Sequence, residues 1–163
     1  MKTVGKIIGG ILVCAILLLV VLSVTGFEPK DRRPGLWLKG DPPTSQVTDW
    51  TFINQIPTVK VQTHTWYLIP HSITTDCISY NGKFYFTSIY PKGVPYPNGR
   101  AWNRDVARDP HVKIKVGNTL YNTELVLVTN PAEKEGALAA KWAKYPNLRT
   151  ESGNVYLFLV IQE

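Results

Sequence analysis

Two adjacent hydroxyls, two cations and a stiff loop pose the first chemical question. Thr87 and Ser88 end an aromatic run, Lys83–Ile89, and Tyr90–Gly99 follows with three prolines and two glycines. Lys92 and Gly93 lie in that loop, and Arg100 leads out of it into Ala101, Trp102, Asn103 and Arg104. Glycine lets backbone N–H groups turn toward an anion, and proline lowers the entropy lost in holding that shape. Guanidinium pairs with phosphate in bidentate fashion, and a helix opening at Ala101 adds unpaired N–H groups. The pattern is therefore able to hold an anionic group of a cofactor or substrate. Trp102 could stack on a planar ring, although a helical Trp is more often a core plug.

Charge concentrates in the same place. Residues 81–116 carry seven Lys and Arg against Asp105 and Asp109, a surplus of +5 in a chain of net charge +6. From Glu28 onward the rest carries 9 basic and 10 acidic groups, which nearly cancel. Charge alone is equally at home on a solvated face. Only its place, where a strand hands over to a helix, points to a ligand.

Other chemistries find less support. His64, His71 and His111 are too scattered for a metal motif, and no metal is expected. Ser72 beside His71 makes no triad, because neighbouring side chains diverge and no G-x-S-x-G elbow exists. Asp76 and Glu124 are isolated strand residues with no evident pairing. The chain has no P-loop and no G-x-G-x-x-G after a strand. Although the pI is about 9.3, there is no RNP-like or OB-type aromatic pattern, and nucleic acid is not an expected partner. Cys77 is the only cysteine past the first segment, so no internal disulfide is possible there.

The positioning elements follow from patterning. Lys2 and Lys6 precede an uncharged run, Ile7–Phe27, whose 21 residues match the roughly 20 that cross a hydrocarbon core. No Ala-x-Ala closes the run, so residues 1–27 read as an uncleaved transmembrane anchor in preference to a cleaved signal. The basic n-region favours a soluble part outside the cytoplasm, although the Lys and Arg count on the two sides is nearly balanced. Residues 28–45, rich in Pro, Gly and charge, read as a linker with Trp37 at the interface, and 46–163 as one domain. In it, Gln46–Ile56 reads as a short helix with Val47, Trp50 and Ile53 on one side. Thr58–Thr65 alternates as a half-buried strand, and Ile73–Tyr80 is a strand entering the hairpin turn Asn81-Gly82. Lys83–Ile89 returns, Val112–Val116 and Thr119–Thr129 form a second hairpin, and Val155–Gln162 reads as a central strand. Helices are expected at Ala101–Arg108 and Pro131–Tyr145, the latter capped by Asn130 with an apolar stripe of Leu138, Trp142 and Tyr145. The predicted class is mainly β with two or three helices, a small antiparallel barrel with helices over its openings.

These elements, and the residues Gly82-Lys-Phe-Tyr-Phe-Thr-Ser88, Lys92-Gly93, Ala101-Trp102, Asp109-Pro110-His-Val112, Lys113-Ile-Lys-Val-Gly117, Val128-Thr129 and Pro131-Ala132-Glu133, resemble the flavin-binding split-barrel proteins. Within them the likeness is to the deazaflavin-dependent nitroreductase branch. It spans roughly Val59 to Tyr145. The resemblance implies a split antiparallel β-barrel that binds FMN or a 5-deazaflavin cofactor. The cofactor tail would be held by Thr87, Ser88, Lys92, Gly93, Arg100, Trp102 and Asn103, with the ring near Ile73–Thr75. It also implies a homodimer, and an oxidoreductase passing hydride between cofactor and an unassigned small-molecule acceptor. Such enzymes work largely by positioning and by excluding water, so no catalytic side chain is assigned. Asp105 stands where the family's Trp-x-x-Asn pattern has Asn, and its charge would repel an anion there. The alternatives are a non-catalytic ligand-binding or interaction barrel of the cell envelope, and a haem-binding split barrel using a histidine.

Overall fold

A computed structural model of the chain describes residues 2–31, 33–149 and 153–163. Its first element is α1 (Lys2–Thr25), whose apolar side chains are exposed along its length. At 1.5 Å per residue, its 23-residue apolar stretch Thr3–Thr25 spans about 35 Å, long and apolar enough to cross a membrane.

Seven strands follow: β1 (Val59–Thr63), β2 (His71–Thr75), β3 (Ile78–Tyr80), β4 (Lys83–Pro91), β5 (His111–Val116), β6 (Thr119–Leu127) and β7 (Gly153–Gln162). They form one antiparallel sheet in the order β2-β1-β5-β6-β7-β4-β3. β2 and β3 are its two edges, yet only Asp76 and Cys77 separate them in sequence. A sheet whose opposite edges are joined by two residues must curl until those edges meet. This is the split barrel that the sequence predicts. The single strand expected over Ile73–Tyr80 is in fact two, because the chain leaves one edge and enters the other at Asp76-Cys77. No change of periodicity marks that switch.

Local chemistry accounts for the turns. Asn81 and Gly82 sit at φ 51° and 73°, the left-handed pair that a two-residue hairpin requires. Alternation then sorts β4 into two faces. Phe84 and Phe86 enter the main core with Trp50, Trp102, Val112, Ile114 and Phe158. Tyr85 joins a second cluster with Ile78, Val128, Ala137 and Leu157 beneath α3 (Pro131–Lys144).

α3 begins as expected, with the Asn130 side chain accepting from the N–H groups of Ala132 and Glu133 at 3.0 and 3.2 Å. Its buried face differs from the predicted stripe. Ala137 and Lys141 are buried, whereas Leu138, Trp142 and Tyr145 are only partly covered. Small residues there let the helix approach β3, and lysine stems lie along it with their ammonium groups directed inward. Lys144 Nζ donates to the carbonyls of Ile53, Ile56 and Cys77 at 2.6 to 2.8 Å. Lys141 Nζ meets the Asp76 carboxylate. Two lysines one turn apart therefore clasp the Asp76-Cys77 link that closes the barrel.

Two further expectations are revised. The helix expected over Gln46–Ile56 is a single 3-10 turn, Thr51–Gln55, that buries Ile53. Part of the segment read as a linker folds back along the sheet. Phe27 N donates to Trp37 O at 2.9 Å, and Gly35 and Ser72 exchange backbone bonds at 2.8 and 2.9 Å. Leu38 is buried, with its N–H on Gln62 Oε1 at 2.7 Å, and the Glu28 carboxylate lies between Lys60 and Lys115.

Candidate functional site

The open seam of the barrel forms a groove of about 1440 Å³. One wall is β2 and the link, with His71, Ile73, Thr75 and Asp76; the other is Thr87, Ser88 and Ile89 of β4 with Arg100, Ala101 and Trp102 of the following helix. Residues of the folded-back segment, Lys30, Asp31 and Arg33, and Tyr145 beyond α3 complete its rim. The seam exists because β3 pairs only with Lys83–Tyr85 of β4. From Phe86 on, β4 is bonded to β7 alone, and its other edge faces the groove.

The predicted site residues divide three ways. Thr87, Ser88, Arg100 and Trp102 line the groove. Asn103 lies just behind it, fully buried, with Oδ1 accepting from Ser88 Oγ at 2.7 Å. Lys92 and Gly93 do not line it; they sit at the exposed tip of the loop. That loop is anchored elsewhere, by Tyr96 N on Tyr156 Oη at 3.0 Å and Asn154 Nδ2 on Val94 O at 3.1 Å. Gly99 lies flat on the Tyr90 ring, where a Cβ would come within 2.5 Å of it.

Thr87 and Ser88 diverge. Alternation sends Ser88 to the inner face, against α2 (Ala101–Arg108), and Thr87 to the outer face, against α3. The Thr87 hydroxyl accepts from Lys141 Nζ and faces Asp76 at 3.4 Å. Lys141 is buried, and burial outweighs the attraction of Asp76, holding its ammonium below the usual lysine range. The pairing of Asp76 with a helix 65 positions away carries no sequence signal, so this part of the groove was not legible. His71 joins the opposite wall with Nδ1 buried and unpartnered, and burial lowers its pKa despite the nearby Asp105 charge.

The N-terminus of α2 brings a guanidinium and a helix end together on the wall. Arg100 is its N-cap and supplies no side-chain cap bond; the Asn103 N–H donates to Arg100 O at 3.2 Å, and those of Ala101 and Trp102 keep their capacity for a ligand. The Arg100 guanidinium is steered by Nε and Nη2 donating to Ile89 O at 3.3 and 3.1 Å. Behind it the Asn103 Nδ2 amide is buried without a partner. Asp105 is turned away. Its carboxylate accepts from Thr63 Oγ1 at 3.2 Å and pairs with Arg108 at 3.6 Å, and it does not line the groove. Trp102 is 5 % exposed and packs on Phe86 and Phe158 with ring centroids 5.9 and 5.5 Å apart, so most of its ring is core.

These features fit an anion-bearing planar cofactor. An uncapped helix end and a steered guanidinium meet on one wall with an orphaned amide buried behind them, and apolar Ile73 on one wall stands across from Trp102 on the other. The groove exceeds the roughly 300–1,000 Å³ of ordinary small-molecule clefts, so space is not limiting.

No protein-family model matches the chain, and no curated protein matches it. Solved structures do. A conserved hypothetical protein, Rv2991, from Mycobacterium tuberculosis aligns with a TM-score of 0.54 at 14% identity, over 78% of this chain and 86% of its own. A candidate 5-nitroimidazole antibiotic resistance protein from Bacteroides thetaiotaomicron aligns at 0.52 and 15% identity, over 82% and 90%. HutZ, a haem storage protein from Vibrio cholerae, aligns at 0.51 and 11%, over 69% and 86%. At these identities the likeness carries the fold alone. The fold shared with them is the curled, split antiparallel barrel described above.

Proposed function

We propose that this chain is a membrane-anchored split-barrel oxidoreductase, nitroreductase-like, that holds FMN or a 5-deazaflavin cofactor in the seam groove. A small-molecule acceptor is its substrate, its soluble part lies outside the cytoplasm, and it works as a homodimer. The observation that carries the reading is the pairing of Arg100 with the uncapped start of α2 at one end of a groove in this fold, with the unpartnered Asn103 amide buried behind them. When bound, such a cofactor accepts and releases a hydride. The chain's own residues bind and orient. Arg100 and the α2 N–H groups would pair with the phosphate, and Ser88, fixed by Asn103, supports the strand edge beside it. Ile73 on one wall and Trp102 on the other would help keep water from the ring.

The visible spectrum of the detergent-purified full chain tests this. A band near ~450 nm indicates flavin and one near ~420 nm deazaflavin. A colourless protein that also fails to bind either added cofactor sinks the proposal.

One observation favours a second reading. His71 stands in the groove wall with an unpartnered Nδ1, and its lowered pKa keeps the imidazole neutral, as a haem ligand must be. A Soret band in the same spectrum, lost in His71→Ala, selects haem over flavin.

A further inference from the structure

The loop between β1 and β2 presents Trp66, Tyr67 and Leu68 to solvent, 79%, 51% and 91% exposed. Leu68 is held at φ 69°, a left-handed conformation that a bulky L side chain rarely adopts. Folding gains nothing from these three side chains, yet the loop that displays them is braced. Thr65 Oγ1 donates to Ile69 O at 2.6 Å, the Arg108 guanidinium donates to His64 O, and Trp66 and Tyr67 meet edge to face at 5.3 Å.

Two further features surround the display. The loop and α2 enclose a cleft of about 500 Å³ lined by Trp66, Tyr67, Arg104 and Arg108, with Asp105 at its side. Arg108 is paired with Asp105, while Arg104 makes no ion pair among the described residues. The loop also ends beside the exit of α1. Ser72, one residue into β2, is bridged to Gly35, and Leu36 N donates to Phe27 O at 2.7 Å, two residues past Thr25. Two strand-like spacings thus separate Phe27 from Ser72, about 10 Å.

We propose that this loop is a second membrane contact: Trp66, Tyr67 and Leu68 enter the headgroup region of the bilayer that α1 crosses, while Arg104 pairs with anionic lipid phosphate. Trp and Tyr favour that region because their rings are apolar at one end and polar at the other, and the Arg guanidinium pairs with lipid phosphate in bidentate fashion. The tether supplies the high local lipid concentration that so small a patch needs. Docked this way, the seam groove, which shares His71 and Ala101 with the cleft, opens at the lipid surface. The inference rests on the anchored reading of α1 but not on the cofactor.

The test uses the full chain in vesicles of phosphatidylcholine and phosphatidylserine whose acyl chains are brominated near the headgroup. Brominated lipid should quench tryptophan emission in the wild type, the quenched fraction should fall at least twofold in Trp66→Phe, and Arg104→Glu should reduce it as well. Equal quenching of wild type and Trp66→Phe overturns the proposal. Alkaline extraction of the same vesicles reports α1 separately: an anchored chain without Trp66 quenching defeats the loop contact alone. An extractable chain that still shows Trp66-dependent quenching defeats the anchor, and with it the proposal of a second contact, leaving peripheral binding through the loop in its place. If the solubilised chain is instead a dimer that Trp66→Ser/Leu68→Ser converts to monomer, a second copy covers the loop, and the membrane contact is overturned.

Discussion

Lys141 and Asp76 form an ion pair beneath the groove wall, with side chains 1% and 14% exposed. They come from α3 and from the two-residue link between the edge strands, so the pair closes the barrel and floors the groove at once. Thr87 touches both partners. The helix that positions Lys141 has no apolar reason to turn that side chain inward. Small residues on its face, and the Tyr85 hydroxyl donating to Glu133 at 2.6 Å, set its distance and rotation.

Breaking this pair from one side leaves a buried charge unmatched. Lys141→Met should destabilise the fold by about 3–5 kcal/mol, and Lys141→Met with Asp76→Leu by clearly less than the two single changes summed. Chemical denaturation of the three variants measures the coupling. Additive losses would mean that the pair is not a unit.

Arg100 and Lys92 separate a groove residue from a loop-tip residue. Arg100→Ala should weaken cofactor binding by about 1–3 kcal/mol, as for lost charged hydrogen bonds, whereas Lys92→Ala should change it by less than about 0.5 kcal/mol. Titration of FMN or deazaflavin by fluorescence reads both. Equal losses would place the anion at the loop tip and not at the start of α2.

Trp102 is chiefly a core residue, so its substitutions should act on stability before ligand. Trp102→Ala should cost about 3–5 kcal/mol and Trp102→Phe markedly less. If Trp102→Phe leaves stability intact but abolishes the cofactor's visible band, stacking on the ring is its larger role.

His71 gives the fold a mild acid sensitivity. Burial lowers its folded-state pKa below 6.5, so as pH falls from about 6.5 the unfolded chain takes up the proton first. Stability is present above that range and declines as pH drops through the folded-state pKa. His111, raised by its hydrogen bond to Asp109, works in the opposite sense. The urea midpoint of His71→Phe should therefore fall less between pH 7.5 and pH 5 than that of the wild type. An unchanged difference would assign the acid loss to other groups.

Much of the architecture was legible from local chemistry. The apolar run of α1, the Asn81-Gly82 turn, the alternation of Val59, Val61 and Thr63, and the Asn130 cap each act within a few residues, so type and spacing suffice. The same local pattern located Arg100 at a helix start, and Ser88 at the strand edge facing it. The sequence by itself therefore determined α1, α2 and α3, most of the strands and the position of the basic handover.

Only the tertiary structure decided how these meet. Asp76 meets Lys141, and His71 faces the same groove as Arg100, because a curled sheet brings its distant edges together. The strand break at Asp76-Cys77 has no periodic signature, since both halves are extended and their side chains look alike. A lysine turned inward is indistinguishable in sequence from one turned to water, because the carboxylate that receives it lies far along the chain. Lys92 illustrates the converse: its charge and spacing matched those of Arg100, and the path of a proline-rich loop set it apart from the groove.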